Sequence, residues 1–174
     1  MDVRIATPTD AVTLSEVATA TFPLACPPHT TRQAIADFIS KNFTVTHFEG
    51  YLSDPDRVLF LAEQGGEAVG YAMLILGEPS DPNVRSSITL RPTAELSKLY
   101  VLPGHHGSGV SVALVDAAVE SARAAGRVGM WLGVNNENAR ANRFYEKNGF
   151  AQVGVKKFLV GETWEDDFVR ERTL

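Results

Sequence analysis

The chain reads as an α/β fold, a mixed and twisted central sheet flanked by helices on both faces. Two observations predict it. First, Glu95–Gly126 and Val128–Phe150 each read as strand, turn and helix, and consecutive units of this kind make parallel neighbours joined by a right-handed crossover. Second, short apolar runs separated by glycine and proline turns supply antiparallel strands on either side. With 174 residues, 44% of them hydrophobic, one sizeable core is affordable, and no repeat or linker divides the chain. With Thr31–Leu52 counted as one helical segment, the expected order is β-α-α-β-β-β-α-β-α-β-β, one domain over residues 1–174.

Val3 and Ile5 alternate with polar residues as a first strand. Thr7-Pro8-Thr9-Asp10 has the form of a helix start, with Thr7 as cap, Pro8 in the first position and Asp10 reaching back. That helix runs to about Thr21, and Phe22–Thr31 reads as a turn-rich loop. A second helix spans Thr31 to Lys41, with Ile35, Phe38 and Ile39 on one face, and another covers Thr44 to Leu52 before Ser53-Asp54-Pro55-Asp56 stops it. Arg57–Ala62 and Ala68–Leu76 form a hairpin about Gln64-Gly65-Gly66-Glu67. Glu78–Pro92, polar and broken by three prolines, reads as a long loop.

Leu96, Leu99, Tyr100, Val101 and Leu102 make the next strand, ended by Pro103-Gly104. After the helix to Gly126, Met130–Val134 is a strand. A helix capped at Asn135 or Asn136 follows, with Ala141, Phe144 and Tyr145 on one face and Gly149 closing it. Gln152–Val160 is a strand, Gly161–Asp167 a turn, and Phe168–Arg172 the last strand.

Between the first central strand and its helix lies His106-Gly107-Ser108-Gly109-Val110-Ser111. Glycines one residue apart let several N–H groups face one concavity, and the helix start adds its free N–H groups and positive dipole end. Such a turn suits an anion, most simply a phosphate, although an ordinary strand-to-helix turn has the same look. The G-K-[ST] ending of a nucleotide P-loop is missing, and Gly104, Gly107 and Gly109 lack the G-x-G-x-x-G spacing. Asn138 and Tyr145, seven apart, share a side of the following helix. A polar amide and a phenol on that face either serve a ligand or satisfy local backbone groups.

Together the two units resemble the Gcn5-related N-acetyltransferase superfamily. Its acyl-CoA signature is V-x-P, then [RQ]-x-x-G-x-[GA], matched by Val101-Leu102-Pro103 and His106–Ser111. Its downstream pattern N-x-x-A-x-x-F-Y-x-x-x-G-F is matched in full by Asn138, Ala141, Phe144-Tyr145 and Gly149-Phe150. His106 stands where arginine or glutamine is usual, and Ser111 where glycine or alanine is.

The resemblance implies an N-acetyltransferase with acetyl-CoA as co-substrate. The pyrophosphate would rest on the N–H groups of Gly107 to Val112, assisted by His106, Ser108 and Ser111. The pantetheine arm would enter like a strand where the two central strands splay, meeting Leu99, Tyr100, Val101 and Asn138. A strand-edge N–H near Leu99–Val101 would polarise the thioester. Tyr145 would protonate the leaving thiolate, its ordinary pKa of about 10 being close to that of an alkyl thiol. Glu95 is the candidate base, acting through water, with a solvated strand-end carboxylate as the plain alternative. The acceptor would sit by Phe22–Thr31 and Phe43–Tyr51. The end of the chain resembles bacterial spermidine/spermine N-acetyltransferases in WLGV, the N-x-x-A-x-x-F-Y motif and the acidic GETWEDD turn, implying a polyamine acceptor drawn by charge. A protein N-terminus, an aminoglycoside and an amino acid are the other acceptors, and a CoA-binding regulatory domain without turnover is the reading from another class. A homodimer is expected from the superfamily.

The net charge of −5 argues against nucleic acid as partner. There is no signal peptide or membrane-length apolar run, and the single Cys26 fits a reducing, cytoplasmic compartment. Cys26 lacks an evident histidine–carboxylate partner and so is a poor acyl carrier. The spacing of His29, His47, His105 and His106 is not that of a zinc site, and no metal is expected.

Overall fold

The computed structural model describes all residues 1–174. Its seven strands form one sheet in the order β1-β2-β3-β4-β5-β7-β6. These are β1 (Asp2–Ile5), β2 (Arg57–Gln64), β3 (Glu67–Ile75), β4 (Thr93–Val101), β5 (Gly129–Asn135), β6 (Ala151–Val160) and β7 (Thr163–Thr173). Every pairing is antiparallel except β4 with β5, which is parallel. The helices are α1 (Ala11–Ala25), α2 (Arg32–Asn42), α3 (Val45–Ser53), α4 (Pro82–Ser87), α5 (Val110–Ala124) and α6 (Ala139–Lys147).

The strands' alternation sends side chains to two faces. On one, Leu114, Val115, Ala118, Val119 and Ala122 of α5 pack on Phe60, Leu74, Leu96, Met130 and Leu132, with Ala141, Phe144 and Tyr145 of α6 against the same core. On the other, Leu14, Val17 and Ala18 of α1 meet Phe43, Phe48, Leu59, Leu61 and Tyr71. Burial at both faces makes β2 and β3 continuous apolar runs.

Four expectations are corrected. α1 runs to Ala25, through Pro23, whose missing N–H strands only the carbonyl of solvent-exposed Thr19. The Glu78–Pro92 stretch contains α4, started by Asp81, which accepts from the Asn83 N–H at 2.8 Å, with Pro82 in the first turn. α4 covers Trp131 with Val84 and Ile88, and sits so close to β6 that a Cβ at Gly154 would stand 2.6 Å from Ser87 Cβ. The last strand starts at Thr163, so Gly161-Glu162 alone makes the turn and the rest of GETWEDD is strand. Finally, α6 is capped by Asn138, whose Oδ1 accepts from the Ala141 N–H at 3.1 Å, while Asn135 Oδ1 takes the Glu137 N–H at 2.9 Å in the preceding turn.

Two irregularities of β4 shape the middle of the sheet. It pairs with β5 only from Thr93 to Glu95, against Gly129 to Trp131, and beyond that the two strands part. Its register with β3 shifts between Met73 and Leu74, leaving Ser97 as an extra residue opposite nothing.

Candidate active site

A cavity of about 930 Å³ opens where β4 and β5 part. Leu102 donates to the Val69 carbonyl of β3 at 2.8 Å. By strand alternation the Leu99 and Val101 N–H groups therefore turn the other way, to the edge that β5 has left. The cavity thus has a wall of unpaired backbone donors, and Tyr100 adds its ring.

At the far end of β4 the loop Gly104–Gly109 takes left-handed backbone at three glycines, with φ of +86°, +79° and +86° at Gly104, Gly107 and Gly109. Nothing lies within 4 Å of where a Cβ would stand at Gly107 or Gly109, so the cradle is open. The first backbone bond of α5 is the Ala113 N–H to the Gly109 carbonyl, leaving the N–H groups of Gly107 to Val112 without backbone partners. His105 anchors the loop, donating from Nδ1 to Gln64 Oε1 at 2.9 Å, and Ser108 Oγ donates to the His105 carbonyl. His106, Gly107, Gly109, Ser111 and Val112 line the cavity. Val110 does not: its side chain is in the core, so only its N–H is available. The pKa of His106 is lowered by partial burial, with Arg140 and His105 adding to the effect.

Arg140 is one residue that sequence reasoning missed. It is exposed in the first turn of α6 and lines the cavity opposite the glycine loop. Its signal was a cation two residues past Asn138. The start of α6 is fixed from behind by a buried network: Arg170 donates from Nε to Asn142 Oδ1 at 3.0 Å and from Nη1 to the Phe150 carbonyl at 2.9 Å, and Asn142 Nδ2 donates to the Asn135 and Asn138 carbonyls at 3.0 Å. With Oδ1 engaged as cap, Asn138 retains its Nδ2 donor for the cavity it lines.

Tyr145 reaches the cavity from the same helix, its ring edge-on to Phe144 and Phe150 at 5.4 and 5.8 Å between centroids. Its hydroxyl has no protein hydrogen bond, and burial raises its pKa well above the ordinary phenol value. Glu95 enters the cavity from β4, its pKa raised by burial against the opposing pull of Lys98, Lys156 and Arg57. A carboxyl with a raised pKa fits a general base better than a solvated one.

The acceptor end differs from expectation. Phe22 and Ala25–Pro27 line it as predicted, but the Phe43–Tyr51 stretch does not. Lys156, Phe158 and Val160 of β6 and Glu165 and Asp167 of β7 take that place. Of the hairpin carboxylates only Glu165 and Asp167, alternate residues of one strand, face the cavity. Both already have cations, His29 at 2.7 Å from Glu165 and Lys156 at 3.5 Å from Asp167. His29 also lies 3.7 Å from Glu137, a histidine–carboxylate cluster that the spacing did not reveal. With a carboxylate at each ring nitrogen, the histidine's pKa is raised, chiefly by the hydrogen bond to Glu165. Cys26 stays a thiol, burial and then Glu165 pushing its pKa up to about 11.

The sequence profile of the acetyltransferase (GNAT) family matches residues 19–150, and the chain belongs to that family. It is an N-acetyltransferase. An uncharacterized N-acetyltransferase of Mycobacterium tuberculosis is 44% identical over 166 residues, covering 95% of this chain and 99% of its own. The crystal structure of the PaiA N-acetyltransferase from Thermoplasma acidophilum in complex with coenzyme A superposes with a TM-score of 0.78 over 100% of both chains at 22% identity. That of YncA from Salmonella typhimurium with acetyl-CoA gives 0.69 at 20% identity, over 100% of this chain and 94% of the other.

Proposed function

We propose that the chain moves the acetyl group of acetyl-CoA directly to a primary amine while both are bound. The observation that carries this is the parting of β4 from β5 after three residue pairs, which leaves a strand-shaped slot with unpaired donors on one wall and the glycine loop at its end. The N–H groups of Gly107 to Val112 hold the pyrophosphate, aided by the Ser111 hydroxyl, with Arg140 and His106 beside them, while the Ser108 hydroxyl is spent on the His105 carbonyl and offers only its N–H. The Leu99 and Val101 N–H groups and Asn138 Nδ2 take the pantetheine amides and the thioester oxygen, and the Tyr100 ring packs against the arm.

The acceptor ammonium loses a proton to Glu95, directly or through one water. Its nitrogen then attacks the thioester carbon, the N–C bond forms, and the negative charge gathering on oxygen is met by the backbone donor at Leu99. The C–S bond breaks, the thiolate takes the Tyr145 hydroxyl proton, and the second proton left on the nitrogen passes to the Tyr145 oxygen, leaving a neutral amide and a phenol. Juxtaposition of two bound reactants supplies much of the rate, without a covalent enzyme intermediate. Sequence favours a polyamine acceptor. Glu165 and Asp167 support a cationic ligand, though less than four free carboxylates would, since both have cation partners. A homodimer would join through the edge strand β6, where Val153, Val155 and Leu159 are exposed.

The test is thiol release from acetyl-CoA against spermidine, spermine, an aminoglycoside, amino acids and a peptide with a free N-terminus. Turnover with intersecting initial-rate lines supports direct transfer, and parallel lines would demand a covalent intermediate. Tight acetyl-CoA binding with no turnover on any amine would leave a silent CoA-binding domain.

A further inference from the structure

The acceptor end of the cavity gathers five charged side chains from three strands: Glu95 and Lys98 from β4, Lys156 from β6, and Glu165 and Asp167 from β7, of which Glu165 is taken by His29 at 2.7 Å. Lys156 and Asp167 satisfy each other at 3.5 Å. Lys156 also lies over bare backbone, since a Cβ at Gly133 would stand 2.5 Å from its Cε. Arg57, the next cation in range, is held by Asp54 at 3.1 Å and covers the Tyr51 ring. Glu95 and Lys98 are left over.

No carboxylate lies within 4.0 Å of Lys98 Nζ. Its polar contact is the Ser97 hydroxyl at 3.4 Å, and the Phe43 ring lies below it with the centroid at 5.7 Å. Glu95 has neither a hydrogen bond nor an ion pair. The bulge explains why the two share a wall. Residues three apart on a regular strand point to opposite faces, and the extra residue at Ser97 restores the parity. Burial raises the pKa of Glu95 and lowers that of Lys98, the charge of each only partly offsetting the desolvation of the other.

Opposite charges on one wall, too far apart to pair with each other, complement a ligand bearing both charges. Building on the transferase reading, we propose that the acceptor is an amine that also carries an anionic group, an α-amino acid or close aminocarboxylate, with its amino group at Glu95 and its carboxylate on Lys98 Nζ. Phe22 and Phe158 bound the same space and suit an apolar side chain. A polyamine would instead bring a second ammonium towards Lys98, a like-charge contact that costs affinity.

The experiment measures thiol release by the full chain with acetyl-CoA and each common amino acid, each matched with its carboxamide, alongside spermidine. The best acid is expected to exceed its amide in kcat/KM by roughly tenfold or more, mostly through KM, as for a charge-assisted contact. Lys98→Met brings that ratio close to one, and Lys98→Arg keeps part of it. An amide used as well as its acid, a ratio that survives Lys98→Met, or spermidine preferred to every acid overturns the proposal and leaves the transferase reading standing. No thiol release with any amine overturns the transferase reading itself. Should Lys98→Met fail to fold by circular dichroism, the acid-to-amide ratio of the unaltered protein decides alone.

Discussion

Tyr145 and Glu95 are tuned by the same cause in ways that separate in a pH profile. Burial raises the pKa of Tyr145, so its phenol keeps its proton through the alkaline range and gives no falling limb below about pH 10. Tyr145→Phe should lower kcat by roughly a hundredfold while leaving acetyl-CoA affinity within a fewfold. Burial also raises the pKa of Glu95, and a base works only when deprotonated, so the acid limb of kcat/KM should lie above the value of about 4.3 for a free glutamate. Glu95→Gln should remove that limb. At the other end of the cleft, the lowered pKa of His106 keeps it neutral near pH 7, so Arg140 is the standing cation there. Arg140→Ala should weaken acetyl-CoA binding by about tenfold, and His106→Arg should tighten it severalfold. Calorimetry at two salt concentrations checks both, the Arg140 contribution shrinking as salt rises.

The two strand–turn–helix units were legible because their signals are local: an apolar run, glycines at a turn, a 3.6-residue period. α4 was not, since six residues carry no period, and only Asp81-Pro82 marked it. The start of β7 was hidden for another reason. Glu165, Asp167, Arg170 and Glu171 are buried polar residues, and what permits their burial comes from distant segments: His29, Lys156, Asn142, and the N–H groups of Thr89 and Leu90 at 3.0 Å from Glu171 Oε2. The bulge at Ser97, which puts Glu95 and Lys98 on one wall, left no mark in the sequence at all. α4 also furnishes a stability test. Gly154→Ala would place a Cβ 2.1 Å from Ser87 Oγ and 2.6 Å from its Cβ, pushing α4 off the sheet, and should cost about 1–3 kcal/mol in denaturant unfolding. Gly77→Ala, with nothing within 4 Å, is the control and should stay within about 0.5 kcal/mol.

The fold as a whole is two apolar cores on opposite faces of one sheet, and the sheet is continuous across its middle through only three parallel pairs. A ligand that bonds both sides of the gap adds to the stability of the native state alone. Acetyl-CoA at a hundred times its Kd should therefore raise the free energy of unfolding by about 2.7 kcal/mol, read as a rise in Tm. Acid also acts at the N-terminal edge. Asp10 accepts from Arg4 at 2.9 Å and from the Thr7 N–H at 2.7 Å, and Arg4 above all holds its pKa down at about 2 against an ordinary 3.8. A depressed carboxyl stabilises the fold above its unfolded pKa and stops doing so as pH falls through the folded value. Asp10→Asn should thus lower Tm at neutral pH and have progressively less effect between about pH 4 and pH 2.

The three-pair seam also gives the sheet the mechanics of a book with a short spine. Each leaf is hydrogen-bonded within itself, while the leaves are joined by Thr93–Glu95 against Gly129–Trp131 and by the core they share under α5. In hydrogen exchange the amides along the spine should stay slow whether or not the slot is filled, whereas those of Leu99 and Val101 should exchange freely in the empty protein and slow when coenzyme A closes the page.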